Sequence, residues 1–291
     1  MTISIEDWRS RGHFAELLGR RIFCVDTGEL DKPTVFLIHG FPTSSWDWAP
    51  IWPILGEEYR LVALDMLWFG FSAKPNPHRY SIHEQADLCE ALIRDRKLGA
   101  MHVLAHDYGD TVAQELLARQ NEGSGVGRWQ SLCLLNGGLF PETHKARLIQ
   151  KLLLSPVGPL VNRLSTKRTF DRSFSAVFGP GTQPSAMELD SFWRLITHDD
   201  GKHVFHNLIA YMSDRTIHRE RWVGALKRSI VPIGLINGSV DPVSGAHMVA
   251  RYREVVSPDH FIAELPTIGH YPQVESPEAV VDAYRRFLRQ L

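Results

Sequence analysis

Residues 101–120 read MHVLAHDYGDTVAQELLARQ, and within this stretch the hydrophobic period changes. MHVLAH is a short apolar run of the kind that suits a buried parallel strand. DTVAQELLARQ, residues 110–120, has its apolar residues at three- and four-residue spacing, as an amphipathic helix does. Between them stands Ala105-His106-Asp107-Tyr108-Gly109. This spacing predicts a sharp strand-to-helix turn that presents the central side chain above the sheet. Residues two before and two after the centre must be small, because backbones approach closely there, and Ala105 and Gly109 satisfy this. The central residue is Asp107. An ordinary N-cap aspartate would give the same local pattern. Asp110 is the rival acid, but its flanks, Tyr108 and Val112, are not small.

Outward from this point the same alternation repeats. Residues 13–25, HFAELLGRRIFCV, read as a hairpin. Apolar runs follow at 34–39, 59–65, 101–106, 131–136, 231–237 and 260–266. Helical stretches separate them. SIHEQADLCEALIRDRKLG opens on a Ser81–Glu84 capping box and ends at Gly99, and SPEAVVDAYRRFLRQL closes the chain with Ser276 as its expected cap. Strand, helix and parallel strand in repetition predict an α/β fold: a mostly parallel central sheet, right-handed crossovers and helices on both faces. One block breaks the rhythm. Residues 138–228 show no convincing strand but carry helical runs such as THKARLIQKLLL, AMELDSFWRLI and HVFHNLIAYM. A block of this size between two core strands reads as an inserted helical cap, with 1–137 and 229–291 forming the core. The GSGVG at 123–127 follows a helix, not a strand, and reads as a turn.

Composition narrows the function classes. The 291 residues are 44% hydrophobic and 22% charged, enough to bury a full core. Lys+Arg 32 against Asp+Glu 33 leaves a net charge of −1, which argues against a nucleic-acid binder or a polybasic membrane-surface protein. The apolar runs are too short or too interrupted to span a bilayer, and MTISIEDWRSRGHF lacks the apolar core of a secretory signal. The three cysteines, Cys24, Cys89 and Cys133, lie in apolar runs and read as buried thiols. A cytoplasmic location is expected.

Three further loops follow core strands: His39-Gly40-Phe41-Pro42, then Asn237-Gly238-Ser239-Val240-Asp241-Pro242, then Ile268-Gly269-His270-Tyr271-Pro272. Taken singly, each is an ordinary turn, and His39 reads as a residue that orders its loop. Taken with Asp107, they place functional groups at the carboxyl ends of four strands, where open α/β sheets build their sites. A site of Asp107, His270 and Asp241 is expected, in the order nucleophile, base and orienting acid.

These motifs resemble the α/β-hydrolase superfamily over nearly the whole chain, from about residue 13 to the end. The HDYG elbow, the HGFP loop and DMLWFGFSAKP resemble the branch containing epoxide hydrolases and haloalkane dehalogenases, which use an Asp nucleophile. Trp68 departs from that branch's DxxGFGxS pattern, which has Gly there. The resemblance implies that the backbone N–H groups of Phe41 and Tyr108 form an oxyanion hole.

A carboxylate is already ionised at neutral pH and suits attack on an electrophilic sp³ carbon, giving an alkyl ester on Asp107. His270 is then required to activate water against that ester. Neither metal nor organic cofactor is needed; the expected partners are a small, largely apolar organic substrate and water. The dehalogenases of this branch usually supply side-chain N–H donors to the halide, from Trp after the nucleophile and Asn in the HGxP loop. Tyr108 and Phe41 occupy those places here, and Phe has no donor. The epoxide hydrolases usually use two cap tyrosines as acids. This cap has one, Tyr211, and RERWVGAL carries Trp222 where the second is expected. Tyr211 is thus the candidate leaving-group acid, alone or with His144, His206 or Tyr108; the alternative is a core aromatic on a cap helix. Trp46 joins Tyr211 as a leaving-group or substrate-binding candidate; with Trp48, Trp52 and Phe41 it either lines an apolar pocket or packs the helix after HGFP. His203 and His206 have metal-ligand spacing but no supporting carboxylate motif, and read as a solvated helix face. Epoxide opening to a diol is the expected reaction. Haloalkane hydrolysis is the alternative, and a non-catalytic small-ligand receptor on the same fold is the reading from another class.

Overall fold

The computed structural model describes residues 3–143, 158, 165–257 and 259–291, the side chains of 203–206 excepted. Eight strands form one sheet: β1 (Gly12–Leu17), β2 (Arg20–Asp26), β3 (Thr34–Ile38), β4 (Arg60–Leu64), β5 (Ala100–His106), β6 (Arg128–Leu135), β7 (Ile233–Gly238) and β8 (Phe261–Leu265). Their spatial order is β1-β2-β4-β3-β5-β6-β7-β8. The β1–β2 and β2–β4 pairs are antiparallel and every other pair is parallel. Leu18 and Gly19 close the expected hairpin, both at positive φ (51° and 71°), the conformation a two-residue hairpin loop demands.

Alternate side chains of each strand point to opposite faces, so the sheet carries two cores. Phe36, Ile38, Val62, Val103, Leu132 and Leu235 pack on one side, against helices Ile82–Asp95, Tyr108–Asn121 and Ala246–Val255. Val35, Leu37, Leu61, Leu104, Leu135 and Ile236 pack on the other, against Ile5–Arg11, Ser45–Leu55 and Pro277–Leu288. Full burial of each such side chain stabilises the fold by about 1.5–3 kcal/mol.

Between β6 and β7 the described residues form helices and no strand, among them Ala186–Thr197, Tyr211–Ile217 and Arg219–Lys227. The THKARLIQKLLL run, from His144 on, lies outside the described residues. HVFHNLIAYM is not one helix. Asp199 and Asp200 take positive φ inside the preceding 3₁₀ segment, and short helices at Phe205–Leu208 and Tyr211–Ile217 follow. Two cap expectations need correction. Ser81 accepts from the Glu84 N–H, but the Glu84 carboxylate turns to His78 instead of closing the box. Ser276 stands at the N-cap of the last helix as expected, but without a side-chain bond to it; Pro277 starts the helix with its φ already set for it. The helix expected to end at Gly99 ends at Asp95, and Lys97 reverses the chain at φ 51°.

Candidate active site

Asp107 joins β5 to the helix Tyr108–Asn121 with φ 47° and ψ −104°, a backbone conformation disfavoured for a side chain with a Cβ. The close approach expected around it is present. A Cβ on Gly109 would lie 2.3 Å from the Ile38 carbonyl oxygen, and one on Gly40 would lie 2.5 Å from His106 Nδ1. Glycine at both positions lets the β3 loop lie directly over the turn. The Phe41 N–H consequently donates to Asp107 Oδ2 at 3.1 Å. Tyr108 opens the helix, where first-turn N–H groups have no acceptor within the helix. Phe41 is held from behind: the Tyr271 hydroxyl donates to its carbonyl at 2.9 Å.

His270 and Asp241 converge on Asp107 from the loops after β8 and β7. Gly238 allows this, since a Cβ there would lie 2.0 Å from the Gly269 carbonyl oxygen. His270 Nδ1 is 2.7 Å from Asp241 Oδ2, and Nε2 is 3.8 Å from Asp107 Oδ2. The first is a hydrogen bond; the second is longer than one. Asp241 Oδ2 also accepts from Asn136 Nδ2 at 3.0 Å and Ser244 Oγ at 2.8 Å, and its Oδ1 accepts the Val243 N–H at 2.7 Å. His106 fastens the loop: its Nε2–H donates to the His270 carbonyl at 2.7 Å.

The electrostatics follow from burial and these partners. Burial favours a neutral Asp107, but His270 and Arg215 outweigh it and hold its pKa below the ordinary carboxylate range. Burial likewise opposes a charged His270, yet the Asp241 and Asp107 carboxylates raise its pKa well above the usual histidine value. His106 is pushed by burial to about 4 and is neutral. Asp110 behaves oppositely to Asp107. Burial and the neighbouring Asp107 charge raise its pKa well above the usual value, which disfavours the carboxylate form a nucleophile needs. His39 uses both ring nitrogens on backbone: Nδ1 on the Gly40 carbonyl, Nε2 accepting from the Met66 N–H. It orders the loop.

The model of the family described as "Alpha/beta hydrolase family" matches residues 35–283. The chain belongs to this alpha/beta hydrolase family. It is 45% identical over 295 residues to the mesoderm-specific transcript homolog protein of Bos taurus, covering 98% of this chain and 88% of that protein. In fold it is similar to a loop variant of the haloalkane dehalogenase DbeA from Bradyrhizobium elkanii, with a TM-score of 0.80, 22% identity and 96% of each chain covered. It is also similar to the epoxide hydrolase CorEH, with a TM-score of 0.76, 16% identity, and 96% of this chain and 98% of that one covered.

Trp68, which departs from the pattern of the family's dehalogenase and epoxide hydrolase branch, takes φ 82°, the left-handed region that glycine favours, and its indole N–H donates to Gly201 at 3.0 Å. The indole thereby ties this loop to the segment between β6 and β7. Tyr211 is buried near Asp107, its ring 5.1 Å from that of Tyr108 and 5.7 Å from that of Phe41. Burial and the Asp107 charge raise its pKa. Trp46 is corrected as a leaving-group donor. Its indole N–H is committed to the Ile3 carbonyl at 2.9 Å, and its ring packs edge-on against Phe192. His144 and the side chains of His203 and His206 lie outside the described residues. Sequence reasoning missed Arg215, whose Nη2 is 3.8 Å from Asp107 Oδ1. Its one outward signal was the Gly137-Gly138 pair after β6. A Cβ at Gly138 would lie 2.3 Å from Arg215 Nη1, and one at Gly137 would lie 2.1 Å from Asp110 Oδ2.

Among the described residues no helix is long and apolar enough to cross a membrane.

Proposed function

We propose that the protein hydrolyses a small, largely apolar epoxide to a diol through a covalent ester on Asp107. The observation that carries this reading is the placement of Asp107. It is an ionised carboxylate on the strained turn, accepting the Phe41 N–H at 3.1 Å and facing His270 Nε2 at 3.8 Å. An oxygen of Asp107 attacks the ring carbon, the C–O bond breaks with its electron pair on oxygen, and Tyr211 supplies the proton. His270 then takes a proton from water, and the resulting hydroxide adds to the ester carbonyl. The Phe41 and Tyr108 N–H groups hold the oxyanion. Collapse expels the second diol oxygen, which takes the proton from His270. The other proton of that water returns to Tyr211 as Asp107 regains its charge. Asp241, fixed by Asn136 and Ser244, holds His270 with Nε2 toward the water.

Residues 138–228 act in this reading as a cap over the core of 1–137 and 229–291, since Tyr211 comes from that block. The free buried thiols Cys24, Cys89 and Cys133 fit a reducing cytoplasm. Carbon–halogen hydrolysis is the weaker reading, because the indole N–H groups of Trp46 and Trp68 are both held by backbone carbonyls.

Intact mass spectrometry of His270→Ala incubated with styrene oxide, and separately with benzyl bromide, tests the reading. Loss of the base should stall ester hydrolysis and leave one adduct per chain, mapped to Asp107. Adduct on Asp110, or none with either compound, refutes it.

A further inference from the structure

Asp107 has a second charged neighbour, Arg215, that the scheme above leaves without a task. Arg215 lies on the helix Tyr211–Ile217 and is 3% exposed. Its Nε donates to Thr111 Oγ1 at 2.8 Å. Its Nη2 donates to the Asp107 carbonyl oxygen at 3.4 Å and lies 3.8 Å from Oδ1. The guanidinium sits 4.6 Å over the Tyr211 ring. Nη1 is buried and has no hydrogen-bond acceptor among the described residues.

A guanidinium with an unused buried N–H is costly to keep, and buried donors normally find acceptors. The neighbouring acid does not relieve it, because neither Asp110 carboxyl oxygen accepts from Nη1. The Asp107 carboxylate approaches the guanidinium at Nη2, at 3.8 Å and beyond hydrogen-bond range, and does not serve Nη1. The charge balance changes during reaction. As the carboxylate attacks, its charge passes to the departing ring oxygen, which lies in line behind the attacked carbon. A donor idle in the resting site but used on that oxygen stabilises the transition state more than the ground state, and only such interactions accelerate the step.

We propose that Arg215 is a catalytic residue, its Nη1–H donating to the ring oxygen while the C–O bond breaks, and that it thereby favours substrates whose leaving atom is oxygen over alkyl halides. This rests on Asp107 being the nucleophile. Arg215 transfers no proton, since a guanidinium keeps its charge. The bond from Asp107 to carbon forms, the carbon–oxygen pair stays on oxygen, and the proton comes from Tyr211. The phenolate left behind lies under the guanidinium, which stabilises it until water restores the proton. A halide, a weak acceptor that needs no proton, gains much less from this donor.

The test follows adduct formation by intact mass in the His270→Ala enzyme, with styrene oxide and benzyl bromide as paired probes. Adding Arg215→Gln is expected to slow alkylation by styrene oxide about 10²–10³-fold, the usual effect of removing one such donor, and alkylation by benzyl bromide less than about 10-fold. Arg215→Lys keeps the charge without the fork and serves if the neutral variant does not fold; it should slow styrene oxide at least about 10-fold, again more than the bromide. Equal slowing of both probes makes Arg215 a support for Asp107 and overturns the inference, as does unchanged reaction with styrene oxide. Absence of adduct in the His270→Ala parent overturns the Asp107 reading itself, and this inference with it.

Discussion

Replacing Asp107 by Asn should lower the pKa of His270 by a large and measurable amount. The two side chains are 3.8 Å apart. At an effective dielectric constant of about 20, a unit charge at that separation is worth about 4 kcal/mol. A loss of that size should lower the His270 pKa well outside the error of a titration. The sign is set by charge: the Asp107 carboxylate favours the imidazolium, so the neutral amide removes that support. Burial, which already favours the neutral ring, acts in the same direction. Asn also imitates the alkyl-enzyme, because an ester on Asp107 is uncharged. In the proposed scheme an ester on Asp107 would therefore shift the His270 pKa downward, toward a neutral ring able to act as a base, as Asn does. NMR titration of ¹⁵N-labelled histidine reads this directly, with the His270 signals identified by their loss in His270→Gln. The chain has 14 histidines, so that control is needed. A His270 pKa in Asp107→Asn equal to or above that of the parent refutes the electrostatic argument.

Other expectations follow from the same contacts. Tyr211→Phe should slow alkylation of Asp107 by styrene oxide about 10²–10⁴-fold, the reach of a general acid, and leave alkylation by benzyl bromide nearly unchanged. Gly109→Ala should destabilise the fold by about 1–3 kcal/mol in urea titrations, because its Cβ would meet the backbone oxygens of Ile38 and His39, which have no room to yield. Glu115 accepts from Arg119, Arg221 and the Trp222 indole, joining the helix Arg219–Lys227 to Tyr108–Asn121. Glu115→Gln should cost about 2–3 kcal/mol at neutral pH, discounted because Arg221 is partly exposed. Burial raises the Glu115 pKa, but these partners bring it down to about 2 from an unperturbed 4.5. Its contribution is therefore complete above pH 4.5 and lost as pH falls toward 2. The urea midpoints of parent and variant should converge over that window.

Much of the site was legible because its signals are local. The switch of period at Asp107, the small residues beside it and the order of the later Asp and His all report on backbone close to each residue. Arg215 was not legible. It stands in YMSDRTIHRERW beside Arg219 and Arg221, and nothing in that run separates it from them. The fold buries Arg215 at Asp107 while Arg219 and Arg221 reach Glu142, Glu115 and Glu122 nearer the surface. Trp46 as a leaving-group donor failed for a related reason: its sequence position does not show that its indole N–H is spent on the Ile3 carbonyl.

The alternation of strand and helix, and the glycines that close approach requires, belong to the sequence by itself, since period and backbone freedom are properties of neighbouring residues. Which acid is favoured in its charged form was decided only by tertiary structure. Asp107 and Asp110 are three residues apart and both buried, and their pKa values move in opposite directions. The difference lies in what the folded chain brings to each: a hydrogen-bonding backbone N–H from β3's loop and two cations for Asp107, and for Asp110 the backbone at Gly137 and the repulsion of Asp107. Those partners come from residues 41, 215 and 270, whose separations along the chain carry no distance information until the sheet is assembled.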